Sequence, residues 1–318
     1  MSLAFVHGLD QLPTMAETST VVTVGTFDGV HRGHQEILKR VLAAAEQPHY
    51  QPVMVTFHPH PRVLISPDSI PMLLTTLEEK EHFLPHMFRG KVVVLEFNDA
   101  LKELSAEQFV ADILCRRLGM KKLVVGYDHA IGKNRGGTIV ELNQLGQRLG
   151  FDVEVVGPVT VEGIQVSSSK IRQSLSDGNL ERAVALLGHP YSIFGTVERG
   201  LGLGRKLGYP TANVRYGPRK LLPNEGVYAC RVQVNDRRYD GMMFIGRNHF
   251  NPENRITVEA NIFDFDQDIY DREVVVCPTH FIRNNHRFES TTALVDQIGL
   301  DKEEVLHIIK QEKQNVND

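Results

Sequence analysis

The chain has 318 residues, 42% of them hydrophobic and 23% charged, with a formal net charge of −4. That length suits two domains, and the balance is that of a globular protein rather than a disordered or fibrous one. The mildly acidic total leaves no electrostatic footprint for nucleic acid, and no apolar run approaches the ~20 residues that a membrane span requires. Cys115, Cys230 and Cys277 are scattered without C-x-x-C spacing and read as reduced core thiols. The opening MSLAFVHGLDQLP lacks a basic start followed by an apolar core, so a cytoplasmic location is expected. Composition leaves self-association open.

In chain order, Val21, Val22 and Val24 read as a buried strand, and Ile37, Leu38, Val41 and Leu42 as one apolar face of a helix. Between them lies Gly25-Thr26-Phe27-Asp28-Gly29-Val30-His31-Arg32-Gly33-His34. Strand, glycine turn and helix aim backbone N–H groups and the positive helix end at an anion, and glycine permits close approach. His31 and His34 add imidazole donors, so the unit reads as a phosphate cradle built on histidines. For an isolated H-x-G-H, an ordinary βα turn with two surface histidines is the plainer reading.

From residue 50 to 160 strands and helices alternate, which predicts a parallel sheet with helices on its faces. Strands are expected over Pro52–Phe57, Lys91–Leu95, Leu123–Gly126 and Val153–Val156. Ser105 and Gln108 form a capping box for a helix carrying Phe109, Ile113 and Leu114, and a second helix after Thr138 aligns Ile139, Leu142, Leu145 and Leu149. Ligands in such sheets bind beyond the carboxyl ends of the strands. Three segments there are candidates. Thr56-Phe57-His58-Pro59-His60-Pro61 is a proline-stiffened loop without further partners at zinc spacing. Gly126–Gly137 imitates a P-loop, but Lys133 is followed by Asn134 instead of Ser or Thr. Within it, Asp128 is placed either to bond a ribose or ring edge or simply to make a turn. Ser167-Ser168-Ser169-Lys170-Ile171-Arg172 opens a helix, where hydroxyls either cap the helix or bind phosphate together with Arg172.

Asp177-Gly178-Asn179 reads as a turn between two short helices, the second packing Leu180, Ala183, Val184 and Leu187 and stopped by Gly188-His189-Pro190. The domain boundary is placed there, giving 1–187 and 188–318. Beyond it strands follow one another, at Tyr191–Glu198, Gly226–Val234, Arg238–Gly246, Arg255–Phe265 and Glu273–Ile282, which predicts a small antiparallel barrel. A terminal helix is expected over Thr291–Ile309. The loop Gly200-Leu201-Gly202-Leu203-Gly204-Arg205-Lys206-Leu207-Gly208 is not G-x-G-x-x-G, and no helix is expected after it, so a dinucleotide fingerprint does not apply. It leads into Pro210-Thr211-Ala212-Asn213, where a hydroxyl and a carboxamide fall on one side of an extended chain as oxygen donors suited to Mg²⁺. Glu259 lies on the strand face opposite Ile256, Val258, Ala260 and Ile262.

The full G-x-F-D-G-x-H-x-G-H string resembles the signature of the nucleotidyltransferase superfamily, in the version of its flavin branch. That resemblance implies an ATP site at Gly25, Thr26, Phe27, Asp28, His31, Gly33 and His34. The S-S-T-x-I-R motif is similar to Ser167, Ser168, Ser169 and Arg172, which would close the site. The T-F-x-P-H-P motif implies a flavin wall at Phe57, His58 and Pro59. Tyr127 and Asp128 come from a further segment in which His129 and Ile131 replace the usual aromatics. The glycine loop and P-T-A-N resemble riboflavin kinase. There the resemblance implies ATP contacts from Gly202, Gly204, Arg205, Lys206, Gly208, Pro210, Thr211 and Asn213, Mg²⁺ on Thr211 and Asn213, and Glu259 as base. The chain departs from that pattern at Phe244-Ile245-Gly246, followed by Arg247-Asn248-His249. It departs again at Asp268-Ile269-Tyr270-Asp271, which loses a glycine, and at Asn285, which loses an acid. Both halves together look like the prokaryotic FAD synthetase family: an α/β Rossmann-like domain adenylylating FMN to FAD, then a β-barrel phosphorylating riboflavin to FMN, with ATP and Mg²⁺ at each. A nucleotidyltransferase for another substrate with a degenerate barrel, and a non-catalytic flavin-binding regulator, are the alternatives.

Overall fold

Runs of valine set the architecture of the first unit. In the computed structural model, which describes residues 3–8, 10–11, 18–200, 202–247 and 256–315, they form β2 (Ser19–Val24), β3 (Tyr50–His58), β4 (Lys91–Glu96) and β5 (Met120–Gly126). With β1 (Ala4–His7) and β6 (Asp152–Val156) these make an all-parallel sheet in the order β1-β4-β3-β2-β5-β6. Neighbouring residues of a strand point to opposite faces, and here both faces are covered. Val22, Val53, Val93 and Leu123 pack with Phe109, Leu114 and Leu142 on one side. Val21, Met54, Val92 and Val124 pack with Leu38, Val41 and Phe88 on the other. The parallel sheet and its helices are as expected.

Four helices matter below, the last of them beginning at the end of this unit. They are α1 (Arg32–Ala44), α2 (Leu77–Phe83), α3 (Ile139–Leu149) and α4 (Ser168–Ser176). The capping boxes at Ser105/Gln108 and Thr138/Glu141 both form. After Gln108, however, the first of these helices continues as a π-helix over Phe109–Arg117, a widened turn that apolar spacing does not announce. Leu149 is 38% exposed rather than packed, because α3 ends there and Gly150 takes the left-handed conformation. Strand β1 and helix α2 were not anticipated, being short and, for α2, dominated by charge.

By packing the chain divides into units 1–168 and 169–318. In the second, α5 (Leu180–Leu187) follows the turn at Asp177-Gly178-Asn179, with Leu186 rather than Val184 in its buried face. Strands β9 (Ile193–Glu198), β10 (Ala212–Tyr216), β11 (Gly226–Val234), β12 (Arg237–Arg247), β13 (Ile256–Ile262) and β14 (Glu273–Arg283) close a barrel, labels β7 and β8 being the small hairpin Thr160–Val161 and Ile164–Gln165. Ring order is β10-β13-β12-β11-β14-β9, antiparallel throughout. The sequence predicts five of the six strands; β10 is the addition, and Arg255, Leu201, Asn248 and His249 lie outside the described residues. A single helical turn, Leu203–Lys206, sits inside the glycine loop, and a strand rather than a helix follows it, as expected.

Helix α6 (Thr291–Asn315) runs beyond the expected Ile309 and lays Val305 and Ile309 on Ala229, Met242 and Phe263 of the barrel. It is pinned by Asp301, 3% exposed, whose carboxylate accepts two 2.7 Å bonds from Arg283 at the end of β14. Asp271 stands where the resembled pattern has glycine, yet it adopts φ +61° and keeps that turn. Aspartate is among the residues that tolerate this region. Among the described residues, no helix is long and apolar enough to cross a membrane.

Candidate functional site

The sheet order reverses at β2, whose neighbours are β3 and β5. Crevices at such switch points, beyond the carboxyl ends of the strands, are where ligands sit in open α/β sheets. The Gly25–His34 turn leaves β2 at this point, Phe57 and His58 end β3, and Tyr127 and Asp128 follow β5.

The turn itself is tightly held. Phe27 and Val30 take φ +47° and +41° without being glycine. Such positions are strained by about 1–3 kcal/mol each and persist only where the surroundings over-determine them. The Phe27 ring is 2% exposed and buried with Leu38 and Val41, so only its backbone faces outward chemistry. Asp28, 2% exposed, accepts the Thr75 N–H at 3.0 Å, and Ser168 Oγ donates to the Asp28 carbonyl at 2.9 Å. His31 caps α1: its Nδ1 accepts the His34 N–H at 3.3 Å, and the two imidazoles stack with centroids 3.6 Å apart. A Cβ on Gly33 would press on the His31 ring at 3.2 Å, so this glycine keeps the pair together.

Burial pushes the His34 pKa well below the ordinary histidine value, aided by His31 and Lys80. His34 is therefore neutral at pH 7, with Nδ1 buried and unpartnered. Its folded state binds fewer protons than the unfolded chain between that depressed value and about 6.5. Stability is thus held above pH 6.5 and lost as pH falls below it. In urea unfolding of the first unit, His34→Gln should flatten the loss of stability between pH 7 and pH 5; an unchanged slope would contradict this assignment.

Tyr127 is 41% exposed and its hydroxyl bonds Gln165, whereas Asp128 and His58 are exposed and Phe57 packs edge-on against Phe97. Ser167 is half-buried and Ser169 exposed at the start of α4; Arg172, one turn on, is half-buried. Lys80 was missed by sequence reasoning. It is 7% exposed, and its Nζ donates to the Thr26 carbonyl at 2.6 Å. A signal existed: the Thr76/Glu79 capping box starts a helix on which Lys80 falls in line with Leu77 and Leu84.

In the barrel, Thr211 precedes β10 and Asn213 lies within it, directly opposite Glu259 of β13. Directly opposed residues share a face, so hydroxyl, carboxamide and carboxylate converge. Thr211 Oγ1 lies 3.4 Å from Glu259 Oε2, and Thr257 Oγ1 lies 3.2 Å from Oε1. The glycine loop closes against the same side chains. A Cβ on Gly200 would fall 2.3 Å from Asn213 Nδ2, and one on Gly204 2.4 Å from the Tyr209 carbonyl and 3.1 Å from Thr211 Oγ1. Gly202 and Gly208 have φ of +66° and +83°, while Arg205, Lys206 and Pro210 are exposed. Gly204→Ala must therefore displace the loop from Thr211. If the loop serves the phosphoryl transfer that the riboflavin kinase resemblance implies, its rate is expected to fall by about 10²-fold, the cost of an ångström-scale misplacement; a rate within twofold of wild type would contradict it.

A turn with two stacked histidines thus lies at the switch point of a parallel sheet, and a Thr/Asn pair faces a glutamate in a closed barrel, the arrangement expected of a two-domain transferase acting on nucleotide phosphates. Comparison with known proteins agrees. A family model described as FAD synthetase matches residues 14–170, and one described as riboflavin kinase matches 187–309. The bifunctional riboflavin kinase/FMN adenylyltransferase of Escherichia coli (strain K12) is 35% identical over 298 residues, 93% of this chain and 94% of that protein. That of Bacillus subtilis (strain 168) is 34% identical over 295 residues, covering 91% and 92%. A crystal structure titled macrolide-efflux protein from Streptococcus pneumoniae superposes with TM-score 0.81 at 31% identity, covering 95% of this chain and 98% of that one. The chain belongs to the family of bifunctional riboflavin kinase/FMN adenylyltransferases.

Proposed function

We propose that the chain makes FAD in two ATP-dependent steps at two separate sites, with residues 188–318 phosphorylating riboflavin and residues 1–187 adenylylating FMN. The family membership supports both activities. The boundary is supported by the kinase family match beginning at residue 187 and by the left-handed Gly188 that ends α5.

In the kinase, Glu259 accepts the proton of the riboflavin 5′-hydroxyl as that oxygen bonds the γ-phosphorus and ADP leaves. The observation carrying this assignment is the carboxylate's position between Thr211 and Thr257 and opposite Asn213. The same oxygens fit Mg²⁺, a hard cation bound through oxygen ligands with phosphates completing its shell. Thr211 and Asn213 would hold it, and it would neutralise charge on the phosphate oxygens. Gly202, Gly204, Arg205, Lys206, Gly208 and Pro210 form the loop over the triphosphate.

In the adenylyltransferase the nucleophile is the FMN phosphate, already an anion, so no base is required. It attacks the α-phosphorus of ATP, the bond to the bridging oxygen of the β-phosphate breaks, and pyrophosphate leaves. Catalysis is positioning and charge neutralisation. His31 and His34 are the imidazoles for the triphosphate, joined by Ser167, Ser168, Ser169, Arg172 and the amides of Gly25–Asp28. Phe57, His58, Pro59, Tyr127 and Asp128 form the flavin side. The acidic net charge supports small-molecule partners and no nucleic acid, in keeping with a cytoplasmic enzyme.

With FMN and ATP alone, FAD and pyrophosphate should appear one for one; with riboflavin and ATP, ADP should accompany FMN. Tight flavin binding without nucleotide turnover would sink the proposal in favour of a regulator.

A further inference from the structure

A lysine that loses its water needs a strong reason to be inside, and Lys80 sits 7% exposed on α2, beside the likewise buried Glu79. Its ammonium donates at 2.6 Å to the carbonyl of Thr26, which also receives the Thr56 hydroxyl at 3.3 Å. That oxygen belongs to the peptide plane whose other end is the Phe27 N–H. In a trans peptide the two point in opposite directions, so fixing the oxygen fixes the amide hydrogen. Ser168 does the same two planes along, taking the Asp28 carbonyl and thereby orienting the Gly29 N–H. These are the amides of the turn to which adenylyl transfer is assigned, and they sit among the strained backbone angles of Phe27 and Val30.

We infer that Lys80 is a positioning residue for adenylyl transfer, acting through the Thr26–Phe27 peptide plane rather than on substrate. The inference rests on the assignment of that reaction to the Gly25–His34 turn. Burial lowers the Lys80 pKa to about 8, and the Asp28 carboxylate opposes that fall, so the ammonium is still mostly charged at pH 7; Asp28 is itself held by the N–H of Thr75, just before α2. Helix α2 and its lead-in thus grip the turn twice, at Thr26 and at Asp28. An ammonium polarises the carbonyl more than a hydroxyl does, because charged hydrogen bonds are the stronger kind. The Phe27 N–H at the far end of the plane becomes a better donor to an anion. The same charge lies against His34 and is one of the causes holding that imidazole neutral.

The test uses the full chain with Lys80→Met, which keeps the length of the side chain and removes charge and donor, and Lys80→Arg, which keeps both. Thr56→Val is a near-isosteric third variant that weakens the same carbonyl's hold without touching the lysine. Lys80→Met should lower kcat for FAD formation from FMN and ATP roughly 10²-fold, with little change in the KM for FMN. Riboflavin phosphorylation in the same preparation should be unaltered, which fixes the concentration of active chain, and a wild-type circular dichroism spectrum shows that the first unit is folded. Lys80→Arg should recover about tenfold of the loss, one decade in transition-state stabilisation, and Thr56→Val should lower kcat in the same direction. A Lys80→Met rate within twofold of wild type overturns the inference, as does a Lys80→Arg rate no better than Met, or a loss residing in the FMN KM. Should His31→Ala also leave FAD formation intact, the failure would lie in the assignment of the turn and not in Lys80.

Discussion

Replacing His31 by alanine is expected to lower FAD formation by about 10²–10³-fold, the cost of one donor at a centre of developing charge. FMN formation from riboflavin should stay near the wild-type rate. His31 is buried at the start of α1 with its imidazole stacked on His34, and its Nδ1 takes the N–H of His34. With Nδ1 accepting, Nε2 is the ring nitrogen that carries hydrogen in the neutral form. Loss of the cap would also cost α1 about 1 kcal/mol, a minor part of the roughly 5–15 kcal/mol ordinary for a folded domain. Separate assays of the two conversions on one preparation check the result. Equal loss of both would mean that the turn supports the whole molecule rather than one reaction.

The complementary variant is Glu259→Gln. It preserves side-chain size and one acceptor, and it removes the carboxylate proposed to take the riboflavin proton. Phosphorylation should fall by about 10²–10⁴-fold, the range for a general base. FAD formation from supplied FMN should persist. Thr211 and Thr257 both reach the native carboxylate, so the amide remains anchored and the loss falls on kcat more than on KM. A normal phosphorylation rate would remove Glu259 from the mechanism.

What could be read from residues alone was whatever is local. The strand–turn–helix around Gly25–His34 declares itself because valine runs, glycines and a helical apolar face adjoin in sequence. The capping boxes at Ser105 and Thr138 are three-residue signals and form as read. Strand β10 was not legible as a strand. Its five residues, Ala212–Tyr216, carry little apolar pattern and are extended because β9 and β13 lie on either side. The pairing of Asn213 with Glu259 is likewise a matter of register between segments 46 residues apart in sequence. Lys80 was lost among Glu78, Glu79 and Glu81, since only the fold shows that its partner carbonyl lies 54 residues earlier in the chain. At Asp271, where the resembled pattern has glycine, the aspartate adopts the left-handed angle that a glycine would take with ease, a backbone fact that the residue letter alone does not reveal.

The most direct test is a chromatographic time course of riboflavin, FMN and FAD with excess ATP and Mg²⁺, run on the wild-type chain and on His31→Ala and Glu259→Gln. Wild type should pass riboflavin through FMN to FAD, His31→Ala should halt at FMN, and Glu259→Gln should leave riboflavin untouched while converting added FMN. A single substitution that stops both conversions in folded protein would contradict the claim that two independent phosphate-transfer sites share this chain.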